Sequence, residues 1–599
     1  MFDSDLAAPI LNHTTSTSLN LLLTRIKRPI PDEPRYLERL EQELEIIDKQ
    51  QFVPHFLRVL EILDLTRDIP HITRGSAGSS LVCYLLGITD VDPVAHDIPL
   101  ARFLNPLRDD LPDVDVDFAQ KFHKEVLNRI YAHWPGRAAR LSNYVKYRDR
   151  SAKKEALKRV CGIKGKSLKG KQPEHLVPTE HKQAWQELTT KLMGKKRCIS
   201  KHPGGVVVFD QPPARSLILQ KDNQILLDKH EVEDLALLKV DVLSNRGLSV
   251  LWDCSGKGPF EYTRECDRTL HMLARGDSFG IIQGESPVMR RTLRALQPQT
   301  VDDLTLATAL IRPAALTGRE KGVFFREWMG HNGAPSVLKH KDGLVFDEDA
   351  IHLICKVLGV QEFEADMYRR AFVKRNEQIM FEFLERIGDH PERAQIQYLL
   401  SRMDGFGLCK AHAVNLGRLI YAQAYEKTHN PKQFWLAVLQ NACSMYRPWV
   451  HVEGAKRAGW NIQGVKRPWQ VKGNVLYNDN WQVPLFDSHW DQLASRGFWT
   501  HDTWIPGTWF QQMGNLATFS GIIATHRQYH KGKGEYVTFV TLGTGVGEFL
   551  EVVLPGAVKL KGVSFVEGAG AVTVKNNCVS VHANTFQLLT THNHRKTYG

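Results

Sequence analysis

Three aspartates at alternate positions constrain this chain more than any other feature. They lie in LPDVDVDF, Leu111 to Phe118. On an extended strand, residues two apart share a face. Asp113, Asp115 and Asp117 then point one way, while Val114 and Val116 point into a core. Carboxylates crowded like this repel one another unless a cation compensates them. Hard oxygen donors suit Mg2+, and on this motif alone a calcium site or a solvated acidic strand stays open. A second apolar run, LLKVDVLSNRG, carries Asp241 between Val240 and Val242. Two such strands side by side bring Asp113, Asp115 and Asp241 together. Such a set holds two metal ions, Mg2+ or alternatively Mn2+, which activate a hydroxyl and stabilise a departing phosphate.

Upstream lies TRGSAGSSLVCYLLG, Thr73 to Gly87. Its small residues form a turn into an apolar helix. Backbone N–H groups at such a turn suit phosphate oxygens, with Arg74, Gly75 and Ser76 as the contacts. A glycine-serine turn is common, so its weight comes from the acidic strand that follows in the same α/β unit.

Charge adds a partner class. The chain carries a net +12, and residues 137–201 hold 19 Lys/Arg against 5 Asp/Glu. That segment exceeds the excess of the whole chain, so it reads as a patch for polyanion phosphates or as a solvated lysine-rich face. The nine cysteines are scattered with no C-x-x-C pair, which gives neither a zinc ribbon nor a disulfide framework. A reducing cytoplasm is expected, since the start lacks a signal peptide and no apolar run is long enough to span a bilayer.

Periodicity divides the rest. Residues 1–32 read as a tail and residues 33–68 as helical. The basic segment reads as mostly helical, and VVVFD and LALLKVDVL as buried strands. Residues 253–445 are largely helical, residues 446–515 an irregular connector rich in Trp, Gly and Pro, and residues 516–590 short alternating strands of a small barrel.

The string RGSAGSSLVCYLLGITDVDPVAHDIPLARFLNPLRDDLPDVDVDF closely resembles the palm of the bacterial C-family DNA polymerases, the alpha subunits of DNA polymerase III. KHPGGVVV and LLKVDVLSNRGLSVL resemble later palm blocks. GDSFGIIQGESPVMRRTLRALQPQTVDDLTLATALIRPAAL, EADMYRRAFVKR and FGLCKAHAVNLGRLIYAQAYEKTHNPKQFWLAVL resemble the fingers. GIIATHRQYHKGKGEYVTFVTL and EFLEVVLPG resemble an OB domain. The resemblance implies a multidomain α/β plus α plus β fold. Its parts are a polymerase-beta-type nucleotidyltransferase palm (33–136 and 201–252), a basic helical thumb (137–200), helical fingers (253–445), a connector (446–515) and a C-terminal OB barrel (516–590). It also implies a template-directed DNA polymerase using primer-template DNA and deoxynucleoside triphosphates.

By motif position, Asp113, Asp115 and Asp241 fall on the catalytic aspartates, and Gly75 and Ser76 on the turn that cradles the triphosphate. Lys201 and His202 lie beside that turn. Arg312, Arg369, Arg370, Lys374, Lys410 and His412 match basic blocks that approach the triphosphate or template; structural pairing within a helical domain is their alternative. Lys146, Lys153, Lys154 and Lys158 lie on a helical pattern that would track duplex phosphates. Tyr529, His530, Lys531 and Lys533 form a hairpin suited to stacking on a single strand. Gln482, Leu485 and Phe486, in WQVPLFD, have the spacing of a sliding-clamp peptide.

The pattern also departs from the family. No PHP domain precedes the palm, no second acidic cluster suggests proofreading, and the family's RPGPL block reads RPAAL. The layout resembles a pared-down polymerase from a phage or mobile element, leaning toward the error-prone, damage-induced branch. A catalytically inactive DNA- or clamp-binding relic and an untemplated nucleotidyltransferase are the competing functions.

Overall fold

The computed structural model describes residues 17–108, 111–163, 172–219, 223–235, 237–312, 344–401, 403, 407–441, 445–463, 470–472, 475–477, 516–532, 535–543, 549–558, 560, 565–575, 578–589 and 596–598. Apolar residues recurring every three or four positions make the first described elements helices α1 (Thr17–Leu23), α2 (Pro34–Lys49) and α3 (Val53–Leu65). They bury Leu19, Leu22, Leu40, Leu44, Ile47, Phe56 and Leu60 in one core. The expected tail is thus corrected: from Thr17 on it is structural, because Leu19, Leu22 and Leu23 supply an apolar face.

Beside these helices lies a seven-stranded sheet of β1 (His71–Arg74), β2 (Val114–Ala119), β3 (Ala138–Lys146), β4 (Lys196–Val208), β5 (Ile218–Leu219), β6 (Gln224–Ile225) and β7 (Lys239–Asn245). Its order is β1-β2-β7-β4-β3-β6-β5. Strands β2 and β7 run parallel, with Val114 opposite Val240, Asp115 opposite Asp241 and Val116 opposite Val242. The four valines are buried in the helix-side core, each stabilising by about 1.5–3 kcal/mol. Slipping the register by one residue would bury the aspartates there instead, so the valines fix where the aspartates point. Helices α4 (Leu81–Leu85) and α5 (His123–His133) complete the layer.

Helices α6 (Asp149–Cys161) and α7 (Lys182–Leu192) stand between β3 and β4 and pack through Ala152, Ala156, Leu157, Trp185 and Leu192. The basic segment is therefore less helical than its charge suggested. Residues 138–146 are a strand of the sheet, and Lys146 sits on that strand rather than on a helix. The strand expected over LALLKVDVL likewise begins only at Lys239, because α8 (Lys229–Asp234) precedes it and Leu235 stays exposed.

A helical domain follows: α9 (Arg246–Ser255), α10 (Asp267–Ala274), α11 (Pro287–Leu296), α12 (Val301–Leu310), α13 (Asp347–Leu358), α14 (Glu362–Lys374), α15 (Glu377–Arg386), α16 (Arg393–Ser401), α17 (Lys410–His429), α18 (Pro431–Asn441) and α19 (Pro448–Arg457). Helix α17 is its axis; Leu419, Ile420, Tyr421 and Ala422 are buried in succession, as in a helix covered on all sides. Helix α19 corrects the irregular-connector reading, since Trp449, Val450, Val452 and Ala455 belong to the same core. A three-stranded sheet of β8 (Asn461–Gln463), β9 (Gln470–Lys472) and β10 (Val475–Tyr477) follows. The clamp-motif residues Gln482, Leu485 and Phe486 lie outside the described residues, as does Lys533.

At the C-terminal end lie β11 (Leu516–Gly532), β12 (Glu535–Gly543), β13 (Phe549–Pro555), β14 (Phe565–Lys575) and β15 (Cys578–Leu589); in β13 every second residue from Leu550 to Leu554 is buried. β13 pairs with both β12 and β15, which closes them into a barrel, and β16 (Lys596–Tyr598) extends its edge. Among the described residues, no helix is long and apolar enough to cross a membrane.

Candidate active site

The parallel pair β2/β7 delivers the carboxylates. Asp115 and Asp241 lie in register, Asp113 just precedes β2, and the three offer oxygens all within 4.8 Å of one another. Burial pushes the Asp115 carboxyl up to about 8, and the neighbouring charges of Asp113 and Asp241 push the same way. Lys239 answers this crowding: its Nζ lies 2.9 Å from Asp113 Oδ1 and 2.8 Å from Asp241 Oδ2. Burial works against the Lys239 charge, but Asp113 and Asp241 outweigh it and hold the ammonium above its usual range. Burial likewise opposes the Asp241 charge, yet Lys239 holds that carboxyl below its ordinary value.

The donor set fits divalent cations. Asp115 Oδ1 and Asp241 Oδ1 are buried with no hydrogen-bond partner, and all the donors are hard oxygens. Asp117 has another task. Its buried carboxylate accepts from Arg74 Nη2 at 2.8 Å and from Asn245 Nδ2 at 3.2 Å, tying β1 and the start of α9 to β2.

The turn Gly75–Ser79 continues β1, whose Arg74 lies opposite Asp115. Gly75 has φ +70°, and a Cβ there would sit 3.4 Å from Asp115 Oδ2, so turn and carboxylate are neighbours. Helix α17 braces the turn from one side: Cys409 Sγ–H donates to the Gly75 carbonyl at 3.1 Å, and a Cβ on Gly78 would meet Ala411 Cβ at 2.8 Å. Glu43 braces it from the other. Buried on α2, it accepts from Ser80 Oγ at 2.6 Å, Leu81 N at 2.7 Å and Val82 N at 3.0 Å. Its partner Arg39 donates to the Ser79 carbonyl at 2.6 Å.

Basic groups gather at this end of α17. Burial drives the His412 imidazole down to about 3, and the fields of Arg74 and Arg312 add to it. His412 Nδ1, Arg312 Nε and Arg74 Nε are all buried without a partner. Lys410 is half-buried, with its backbone N–H donated to Glu348 at 2.9 Å. Arg369 is not part of this group. It is buried on α14 and donates to Asp366 at 2.8 Å, a carboxylate that Arg108 also approaches at 3.7 Å. On the same helix Arg370 is half-buried and Lys374 exposed. Lys201 is exposed on β4. His202 lies 3.6 Å from Asp241 Oδ1, and its Nδ1 accepts from the Gly205 N–H at 2.7 Å; burial lowers its pKa.

Of the four helix-assigned lysines, Lys153 is engaged by Asp149 at 3.0 Å and Glu174 at 2.7 Å; Lys154 is half-buried and Lys158 exposed. On the barrel hairpin Tyr529 is exposed, and His530 lies against the half-exposed Tyr536 ring at 4.7 Å. The Lys531 side chain lies outside the described residues.

Sequence reasoning missed Lys239 and Glu43, though both left a signal. Lys239 sits two residues before Asp241, on the same strand face. Glu43 falls among Leu40, Leu44 and Ile47, on the apolar stripe of α2.

Fold and site together define a mixed α/β protein with a three-carboxylate cluster that could hold a metal ion, beside a small-residue turn. The chain belongs to the bacterial C-family polymerases, the DNA polymerase III alpha subunits. Residues 10–244 match the bacterial DNA polymerase III alpha NTPase domain, and residues 262–393 match the alpha subunit finger domain. The chain is 29% identical over 479 residues to an error-prone DNA polymerase of Mycobacterium bovis, covering 73% of this chain and 44% of that protein. It is 28% identical over 470 residues to a DNA polymerase III subunit alpha of Staphylococcus epidermidis, with 70% and 44% covered. An error-prone DNA polymerase of Rhodopseudomonas palustris is 30% identical over 498 residues, with 73% and 43% covered. The chain thus spans less than half the length of these relatives.

Proposed function

We propose that this chain is a template-directed DNA polymerase that adds deoxynucleotides to a primer 3′-hydroxyl. The observation that carries this is the convergence of Asp113, Asp115 and Asp241 on adjacent parallel strands, beside the Gly75 turn. Two divalent ions held by these carboxylates would supply the activated 3′-hydroxyl and the charge to stabilise departing pyrophosphate. Asp115 and Asp241 are the more buried of the three, and Asp113 the more exposed. The Gly75 turn offers backbone N–H groups to the triphosphate. The unpartnered nitrogens of Arg312, Arg74 and His412 support an anion beside it, where they gain the hydrogen bonds they lack.

The barrel fits the OB class, and the exposed Tyr529 and Tyr536 suit a single-stranded template. Clamp binding through Gln482, Leu485 and Phe486 rests on the sequence motif. Resemblance to relatives named error-prone DNA polymerase supports a damage-tolerant role. Primer extension on defined templates, with single-nucleotide mixtures, tests catalysis and template dependence together. Extension without regard to template would favour the untemplated transferase, and binding without extension the inactive relic.

A further inference from the structure

The helical domain holds a second, separate core. Helices α13 to α16 pack around Ile351, Ile354, Phe372, Phe383 and Leu400, apart from the core built on α17. This unit meets the sheet domain through polar links at the starts of α13 and α14. Arg102 Nη2 donates to Asp347 Oδ2 at 2.9 Å, and Asn105 Nδ2 donates to the Phe363 carbonyl at 2.9 Å. Both donors lie on the segment of chain that leads to Asp113 and β2.

The start of α13 also grips the start of α17. The Asp347 N–H donates to the Leu408 carbonyl at 3.2 Å, and a Cβ on Gly407 would overlap Asp347 Oδ1. Beside them, Glu348 Oε2 accepts the Lys410 N–H at 2.9 Å. The helix needs an acceptor there. The first N–H groups of a helix have no partner within it, and the capping residue normally serves one of them. Cys409 holds the capping position of α17 but makes no side-chain cap; its thiol donates to the Gly75 carbonyl. Glu348 supplies from α13 the acceptor that Cys409 does not. Its burial pushes its carboxyl up, and its Oε1 is buried with no hydrogen-bond partner. A buried acid with an idle oxygen weakens the fold, so stability does not account for it. The bond it does make is to the helix that braces the turn.

We propose that Glu348 is a positioning residue for the nucleotide: it fixes the first turn of α17, and through Cys409 the Gly75 turn, relative to the segment anchored by Arg102 and Asn105. The links close a ring from that segment through α13 and α17 to the turn. Glu348 acts through α17 and not on the substrate. The proposal rests on the polymerase reading for the nucleotide at the turn.

The test uses the full chain with a primer-template. It measures steady-state single-nucleotide extension and equilibrium binding of a deoxynucleoside α,β-imido triphosphate with Mg2+. Glu348→Met keeps the volume and removes the acceptor; Glu348→Gln keeps both. Glu348→Met should raise the nucleotide KM and the analogue Kd about tenfold, with kcat within about threefold and primer-template affinity within about twofold of the wild type. Glu348→Gln should stay within about threefold of the wild type on every measure. Cys409→Ala, the next link, should raise the same KM, and adding it to Glu348→Met should raise KM little further, because both act through one chain of contacts. It also carries the test if circular dichroism shows Glu348→Met unfolded. Glu348→Met or Cys409→Ala at wild-type KM and Kd, Glu348→Gln as weak as Glu348→Met, or an equal fall in primer-template affinity would each overturn the positioning role. Wild-type extension with both links unaffected sinks only that role. Analogue binding weakened by Glu348→Met and kept by Glu348→Gln, with no wild-type extension, sinks only the polymerase reading.

Discussion

Lys239 and Asp115 decide how the metal-free centre tolerates three carboxylates within 4.8 Å. Lys239 bridges two of them, and the third, Asp115, retains its proton up to about 8. The unfolded Asp115 carboxyl titrates near 3.8. The folded chain therefore binds the extra proton between those values, and stability falls as pH rises through that window. Divalent cations must displace the same proton, so their binding strengthens with rising pH. The metal-free melting temperature should accordingly drop between pH 5 and pH 8. Added Mg2+ or Mn2+ should raise it more at the upper end, and Asp115→Asn should flatten both trends. Replacing Lys239 by Met leaves a carboxylate pair uncompensated, for an expected loss of about 3–5 kcal/mol in denaturant titrations without metal. Much of that loss should return on adding the cation.

At the scale of elements, the turn Gly75–Ser79 is held from two directions, by Glu43 on α2 and by the start of α17. Gly75→Ala forces a side chain into φ +70°, at a cost of about 1–2 kcal/mol. Its Cβ would come into contact with Asp115 Oδ2 at 3.4 Å, so the strain falls beside the carboxylates. The expected outcome in steady-state extension is a raised KM for the nucleotide with DNA affinity unchanged. Glu43→Gln keeps the shape but removes the charge that four donors face, and should raise the same KM less steeply.

How much of these elements the sequence showed depends on period. The valine–aspartate alternation in β2 and β7 was legible, because strand faces repeat every two residues whatever surrounds them. The strand character of Ala138–Lys146 was hidden by its neighbours' lysines, which drew the whole segment toward a helical reading. Arg369 matched a basic block, but only tertiary packing could show that Asp366 and Arg108 already occupy it.

On the whole molecule, the sheet, the helical domain built on α17 and the barrel follow one another along the chain. The barrel meets the helical domain at Phe549, whose ring lies 4.0 Å from Phe279, stacks on Trp449 and has the Arg290 guanidinium 5.4 Å from its centroid. The order of sheet, helices and C-terminal strands was legible because each has its own hydrophobic period. The packing of the first helices under the sheet was not, since Leu19, Leu22 and Leu23 form too short a pattern to read as a helix. Removing residues 516–599 should weaken binding to template overhangs more than to blunt duplex, as read by anisotropy on matched substrates.

Asp113, Asp115 and Asp241 are proposed to form one centre for templated nucleotide addition. The most direct measurement is primer extension on four templates that differ only at the first unpaired base, with one nucleotide supplied at a time and Mg2+ present. The wild type should add only the complementary nucleotide. Asp241→Asn should add none, while binding the same primer-template within about twofold of the wild type. Extension by Asp241→Asn at near the wild-type rate, or addition by the wild type without regard to template, would contradict the account.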